Sequence, residues 1–245
     1  MSAPLNILLL GYGKMGRAIE AVALSRGHRL AARIDLGNRA ELDALPTHAV
    51  DVVIEFSSPE AVVANLHYCV ERGWPVVCGT TGWLAQRPDI EAAVLARGSG
   101  FFYASNYSIG VNLFFRLNKV LAKLMGHQPD YAVALTEIHH TQKLDAPSGT
   151  AITLAEGILE NLPHATHWAL SDENAALTAP DVLPIESVRE GNVPGTHTVR
   201  YTSAQDTIEI THTAHSREGF ALGATLAAEW VAHRQGVFGM DDLLA

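Results

Sequence analysis

Residues 7–23 read Ile-Leu-Leu-Leu-Gly-Tyr-Gly-Lys-Met-Gly-Arg-Ala-Ile-Glu-Ala-Val-Ala. Ile7 to Leu10 is an unbroken apolar run of the kind that fills a buried strand, and Ala18, Ile19, Val22 and Ala23 recur at the spacing of a helix face. Between them stands Gly11-Tyr12-Gly13-Lys14-Met15-Gly16, so the stretch reads as strand, glycine turn and helix. Gly11 permits the tight turn, Gly13 lets backbone approach a pyrophosphate, and Gly16 allows close helix–strand packing. Free N–H groups at the helix start complete an anion site. The next strand, Arg29 to Ile34, ends at Asp35, about 20 residues on, where an acidic side chain accepts hydrogen bonds from an adenosine ribose. Asp35 would also repel a 2′-phosphate, which favours NADH over NADPH, although Arg39 stands close enough in sequence to work the other way.

The alternation continues outward from this stretch. A third strand, Val52 to Phe56, runs into Ser57-Ser58-Pro59, where Ser58 is expected to cap a helix reaching about Arg72. Then come a strand at Pro75 to Cys78, the turn Gly79-Thr80-Thr81-Gly82, a helix interrupted near Pro88, and a short strand at Phe101 to Tyr103. Repeated β-α units of this length predict a Rossmann-like, doubly wound parallel sheet. After Asn106 the pattern changes: Val111 to Met125 is an amphipathic helix, Tyr131 to Ile138 alternates as a half-buried strand, and Thr196 to Ser203 with Thr207 to Thr213 forms a hairpin. Phe220 to Arg234 is helical again, with Leu222, Leu226, Ala227 and Trp230 on one side, and is expected to return to the first sheet. The expected class is therefore α/β, with a dinucleotide-binding domain at 1–107 and 216–245 and a second, α+β domain with a mixed or antiparallel sheet at 108–215. The stretch Ser171 to Pro180 reads as the most mobile loop.

Composition narrows the partners. In 245 residues, 17 Lys and Arg face 26 Asp and Glu, a net charge of −9 that favours neither nucleic acid nor an anionic membrane. Cys69 and Cys78 are too few for a disulfide framework, and no basic, apolar leader precedes Leu10, so a cytoplasmic protein is expected.

A second stretch carries chemistry. Residues 137–151 read Glu-Ile-His-His-Thr-Gln-Lys-Leu-Asp-Ala-Pro-Ser-Gly-Thr-Ala, ionisable side chains held between the end of a strand and the start of a helix. Ser148 can cap that helix, expected to reach about Asn161, and leave the N–H groups of Gly149 and Thr150 directed outward for a carboxylate. Lys143 adds a cation, and His139 or His140 can donate a proton near neutral pH. No metal site is expected: His139 and His140 point to opposite sides of an extended chain, and His212 and His215 lack a third ligand.

At this segment the chain resembles the 4-hydroxy-tetrahydrodipicolinate (dihydrodipicolinate) reductase family. Further matches to the family are Gly11 to Gly16, Gly79-Thr80-Thr81-Gly82, Asn106 to Asn112 and Phe220 to Ala224. The resemblance implies NAD(P)H-dependent reduction of a cyclic dicarboxylate in lysine and diaminopimelate biosynthesis, at a site between the two domains. It implies His139 as proton donor, Lys143 as second catalytic group, and His140, Gly149 and Thr150 at the substrate carboxylates. The cofactor would be lined by Gly11, Tyr12, Gly13, Lys14, Met15, Gly16, Asp35, Gly79, Thr80, Thr81, Ala104, Ser105, Asn106 and Tyr107. A homotetramer joined through the sheets of the second domains is also implied. Two departures stand out: only fifteen residues separate Asp35 from Asp51, so a helix common in longer members is trimmed, and Gly195-Thr196-His197 replaces a common Gly-Glu-His. The alternatives are a related two-domain dehydrogenase acting on another small substrate and a non-catalytic NADH-sensing regulator.

Overall fold

The computed structural model describes residues 3–171 and 181–245, so all but the first residue of the loop expected at Ser171 to Pro180 lies outside the described residues. From the N-terminus come β1 (Asn6–Leu10), α1 (Lys14–Ser25), β2 (Arg29–Ile34), β3 (Val52–Glu55), α2 (Pro59–Arg72), β4 (Val76–Cys78), α3 (Arg87–Arg97) and β5 (Gly100–Tyr103). The crossover from β2 to β3 contains only two 3₁₀ stretches, Leu36–Leu42 and Thr47–Ala49, in place of an α-helix. Ser58 does occupy the N-cap position of α2, but its side chain makes no capping bond to the helix backbone and engages the Glu60 carboxylate.

The chain then builds α4 (Ile109–Met125), β6 (Ala132–His139), α5 (Gly149–Leu159), β7 (His167–Leu170), β8 (Val182–Arg189), β9 (Thr196–Thr202) and β10 (Thr207–Thr213). It closes with α6 (Glu218–Val231), β11 (Gly236–Phe238) and α7 (Met240–Leu243). Backbone contacts divide it into two compact units, Met1–Ile109 with Arg217–Ala245, and Gly110–Ser216.

The first unit is a six-stranded sheet of order β11-β5-β4-β3-β1-β2, every pair parallel. Alternation along β1 sorts its core: Leu8 and Leu10 pack with Val62 and Leu66 of α2 and Ile90 of α3, and Ile7 and Leu9 pack with Ile19 of α1 and the alanines of α6. A sheet covered on both faces needs apolar residues on both, which is why its strands read as unbroken runs. The face of α6 that faces this core is not the leucine-rich one expected. Ala221, Ala224, Ala227, Ala228 and Val231 are buried while Leu222 is exposed, because small residues let the helix backbone approach closely. A Cβ at Gly223 would lie 1.7 Å from the Tyr107 carbonyl oxygen.

The second unit is a five-stranded sheet of order β10-β9-β6-β8-β7. β9 is antiparallel to both β6 and β10, whereas β8 is parallel to both β6 and β7. Leu135, Ile185 and Val199 from the three central strands pack with Phe114 of α4 and Leu154 and Ile158 of α5. Among the described residues no helix is long and apolar enough to cross a membrane.

Candidate active site

Strand register in the second sheet assembles a polar cluster beside that core. Glu137 of β6 stands opposite Ser187 of β8 and His197 of β9, and His197 stands opposite His212 of β10. His139, two positions past Glu137, shares its face and has Arg189 as its neighbour on β8. The same face two residues earlier is the apolar layer of Leu135, Ile185 and Val199, so the row passes from core to site within one strand repeat.

Glu137 is fully buried. Its Oε1 accepts hydrogen bonds from the Ser148 N–H at 3.0 Å, the Ser187 hydroxyl at 2.8 Å and Arg189 Nη2 at 3.1 Å. Its Oε2 lies 3.0 Å from His139 Nδ1 and 3.8 Å from His197 Nε2. Burial alone would raise this carboxyl, but the bonds to His139, Ser148, Ser187 and Arg189 outweigh it and hold the group well below the usual carboxylate range. Glu137 is therefore a permanent anion at physiological pH. His197 behaves oppositely: burial first, then the neighbouring His139, push it down to about 4 against the pull of Glu137, so it is neutral. The Ser148 hydroxyl lies 3.1 Å from His197 Nε2 and accepts the Ala151 N–H at 3.2 Å, so it joins the ring to the cap of α5.

The loop after β6 is tied to the same cluster. Arg189 donates to the carbonyl oxygens of Lys143 at 3.3 Å and Asp145 at 2.6 Å. Lys143 Nζ lies 2.8 Å from both carboxylate oxygens of Asp145, whose carboxyl it lowers, so the lysine charge is paired rather than free. The Ala146–Pro147 peptide is cis. Gly149 is exposed, with no atom within 4 Å of where a Cβ would stand, and Thr150 is half-buried. The first N–H groups of a helix have no acceptor within it, so those of Gly149 and Thr150 present an open anion site. His140 is half-buried, and its carbonyl accepts the Lys143 N–H at 3.1 Å.

Sequence reasoning named His139 and Lys143 because they lie in one short stretch, and gave no role to Glu137, which opens that stretch, or to Ser187, Arg189 and His197. The alternation of β6 was the available signal for Glu137. Donor atoms of Glu137, His139 and His197 all lie within 4.8 Å of one another, a grouping that sequence spacing did not suggest. Within the trio, Glu137 Oε1 and His197 Nε2 are engaged by Ser148, Ser187 and Arg189, while Glu137 Oε2 and His139 Nδ1 face each other.

The first unit carries a cavity of about 500 Å³ at the glycine turn, lined by Gly11, Tyr12, Gly13, Asp35, Arg39 and the Phe56–Ser58 loop among others. Gly11 has φ +90°, and a Cβ on it would lie 2.1 Å from the Phe56 carbonyl oxygen; one on Gly16 would lie 2.4 Å from that of Gly11. At Gly13 nothing lies within 4 Å. The outer glycines thus serve packing and the middle one leaves room, which fits a pyrophosphate at the start of α1. Asp35 is exposed at the end of β2, with Oδ1 accepting the Leu36 N–H at 2.9 Å.

The other residues expected at the cofactor, Lys14, Met15, Gly16, Gly79, Thr80, Thr81, Ala104, Ser105, Asn106 and Tyr107, do not line this cavity. Several are structural ties. Thr80 Oγ1 accepts the Ser57 N–H at 2.9 Å, joining the loops after β3 and β4, and the buried Tyr107 hydroxyl donates to the Cys78 carbonyl at 2.8 Å. The missed lining is the loop after β3, whose buried Glu55 holds the Ser57 hydroxyl and its N–H. Its position at the C-terminal end of a central parallel strand was the signal.

Both units match known protein families. Residues 5–107 match the family "Dihydrodipicolinate reductase, N-terminus" and residues 110–244 match "Dihydrodipicolinate reductase, C-terminus". The chain is 48% identical over 241 residues to a 4-hydroxy-tetrahydrodipicolinate reductase of Christiangramia forsetii, covering 98% of each chain. It is 36% identical over 266 aligned residues to one of Chromobacterium violaceum, again covering 98% of each. A dipicolinate-bound dihydrodipicolinate reductase from Paenisporosarcina sp. TG-14 shares the fold, with a TM-score of 0.78 at 23% identity over 98% of this chain and 99% of that one. Matched along nearly its whole length, this chain belongs to the dihydrodipicolinate reductase family.

Proposed function

We propose that the protein reduces 4-hydroxy-tetrahydrodipicolinate to tetrahydrodipicolinate with a reduced nicotinamide cofactor, in lysine and diaminopimelate biosynthesis, and that His139 is its proton donor. The observation that carries the residue assignment is the His139 ring lying against a buried, ionised Glu137, on the loop that leads to the open start of α5. When bound, the cofactor supplies the hydride. Gly11, Gly13 and the start of α1 would hold its pyrophosphate, and Asp35 would hold the adenosine ribose. One substrate carboxylate docks on the N–H groups of Gly149 and Thr150 beside His140. Lys143 exchanges its Asp145 partner for substrate, so its charge is delivered only when a dianion is present. His139 then protonates the atom that becomes electron-rich on reduction.

NADH is the favoured cofactor, through Asp35, with Arg39 in the same cavity keeping NADPH usable. A cytoplasmic homotetramer is part of this reading, and two unpaired, buried cysteines suit a reducing compartment. The test follows loss of NADH or NADPH absorbance with freshly made substrate. Wild type should oxidise either cofactor, NADH with the higher kcat/KM. His139→Gln should lose about 10²-fold or more in turnover, and Lys143→Ala should lower turnover with NADH affinity unchanged. No oxidation by the wild type, or full turnover by either variant, rejects the corresponding assignment.

A further inference from the structure

Among the buried polar atoms of the second unit that make no hydrogen bond, two are each other's nearest charged or polar partner. Glu137 Oε2 and His139 Nδ1 are both inaccessible, neither has an aligned hydrogen bond, and they lie 3.0 Å apart. Leaving both unmatched is costly, whereas a proton on Nδ1 turns the approach into a charge-assisted contact. We propose that Glu137 is a positioning residue, whose carboxylate holds the proton of the neutral His139 ring on Nδ1 and turns Nε2 toward the substrate, so that Nε2 takes up a second proton from solvent and it is this proton that is passed to the substrate, the ring returning to its Nδ1–H form. The assignment rests on the proposed function only in taking His139 as the proton donor.

Three features carry it. The carboxylate cannot swing away, because Oε1 is fixed by the start of α5 through the Ser148 N–H and by β8 through Ser187 and Arg189. The second imidazole does not compete for Oε2. His197 stands 5.1 Å from His139 between ring centroids, edge to face, and its Nε2 is taken by the Ser148 hydroxyl. The other edge of the His139 ring is kept clear by Gly195, where any Cβ would lie 2.9 Å from Nε2. Among the described residues Nε2 makes no hydrogen bond, so it is the nitrogen left for substrate.

The charged and titratable groups around this ring have other engagements. Arg189 of β8 is spent on Glu137 and the loop carbonyls, Lys143 on Asp145, and His212 of β10 stands behind His197 in the strand register. Among the described residues, Glu137 is thus the group placed to choose between the two tautomers of His139.

Glu137→Gln tests the assignment, since it keeps an acceptor for Ser148, Ser187 and Arg189 and sets an amide against Nδ1. Expected is a fall in kcat of about 10²-fold, with substrate KM and NADH affinity each within about threefold of wild type. His139→Gln and the double variant should then have equal turnover, because Glu137 acts only through His139. In ¹⁵N spectra without substrate, wild-type His139 should show the Nδ1–H tautomer and Glu137→Gln should not. Additive losses in the double variant, or an Nε2–H tautomer in wild type, would overturn the proposal. If Glu137→Gln does not fold, the wild-type spectrum decides alone. An Nδ1–H spectrum in an enzyme with no turnover would sink the proposed reaction and leave the positioning of His139 standing.

Discussion

Replacing His197 should flatten the dependence of stability on pH, by an amount that the structure sets. His197 is buried, with Nε2 bonded to the Ser148 hydroxyl and the His139 ring and Glu137 carboxylate beside it, and it is pushed down to about 4 against 6.5 for an ordinary histidine. A histidine whose folded value is depressed is neutral when folded and takes up a proton on unfolding. Stability is therefore full above about pH 6.5 and is lost as pH falls toward the folded value. Between pH 7.5 and 5.0 the linkage integral for these two values is about 2 kcal/mol. Glu137 adds almost nothing in that window, because its carboxyl is lowered on folding and stays ionised in both states until pH drops below about 4.5. Urea unfolding at the two pH values, for wild type and His197→Gln, isolates the term, since the other histidines titrate in both proteins and cancel. Wild type should lose about 2 kcal/mol more than the variant on going to pH 5.0. Slopes that agree within about 0.5 kcal/mol would refute the claim that this ring is held neutral by burial.

The glycines of the first turn should separate binding from folding. Gly16→Ala places a Cβ 2.4 Å from the Gly11 carbonyl and should cost about 1–3 kcal/mol of stability. A Cβ on Gly13 has nothing within 4 Å, so Gly13→Ala should leave the melting temperature within about 2 °C, while weakening NADH binding by about tenfold or more in a fluorescence titration. Arg189→Met removes one bond to Glu137 and two to the loop carbonyls, and a loss of about 2 kcal/mol is expected once the partial exposure of the arginine is allowed for. That corresponds to a melting temperature lower by about 4–8 °C, and a shift under about 2 °C would show the clamp to be ornamental.

How much of this was legible depended on how locally each feature is encoded. In the first unit, a strand covered on both faces needs several apolar residues in a row, so Ile7 to Leu10 and Val52 to Ile54 announced themselves. β11 did not: Gly236-Val237-Phe238 is three residues long and half-buried, and only its pairing with β5 makes it a strand. β8 was hidden by Pro184, which argues against a central strand until one sees that it stands at the junction with the short β7. The outer face of α6 misled because leucines there were counted as core, when close approach to the sheet selected the alanines. In the site, residues 139 to 150 are adjacent in sequence and could be read together. Glu137, Ser187, Arg189 and His197 meet only through the register of three strands, and no spacing rule anticipates that.

The same register explains why a departure from the family pattern leaves the site intact. Thr196, the second departure noted from the resemblance, stands between Gly195 and His197, both of which approach His139. On β9 successive side chains point to opposite faces, so His197 joins Glu137 inside while Thr196 belongs to the other surface. Thr196 pairs there with Ile138 and reaches Thr213 of β10 at 3.4 Å between hydroxyls. A change of charge at that position alters the outer face of the sheet and leaves the row of Ser187, Glu137 and His197 untouched. A two-faced strand separates 196 from 195 and 197: one face holds the partners of His139, and the other belongs to the opposite surface of the sheet.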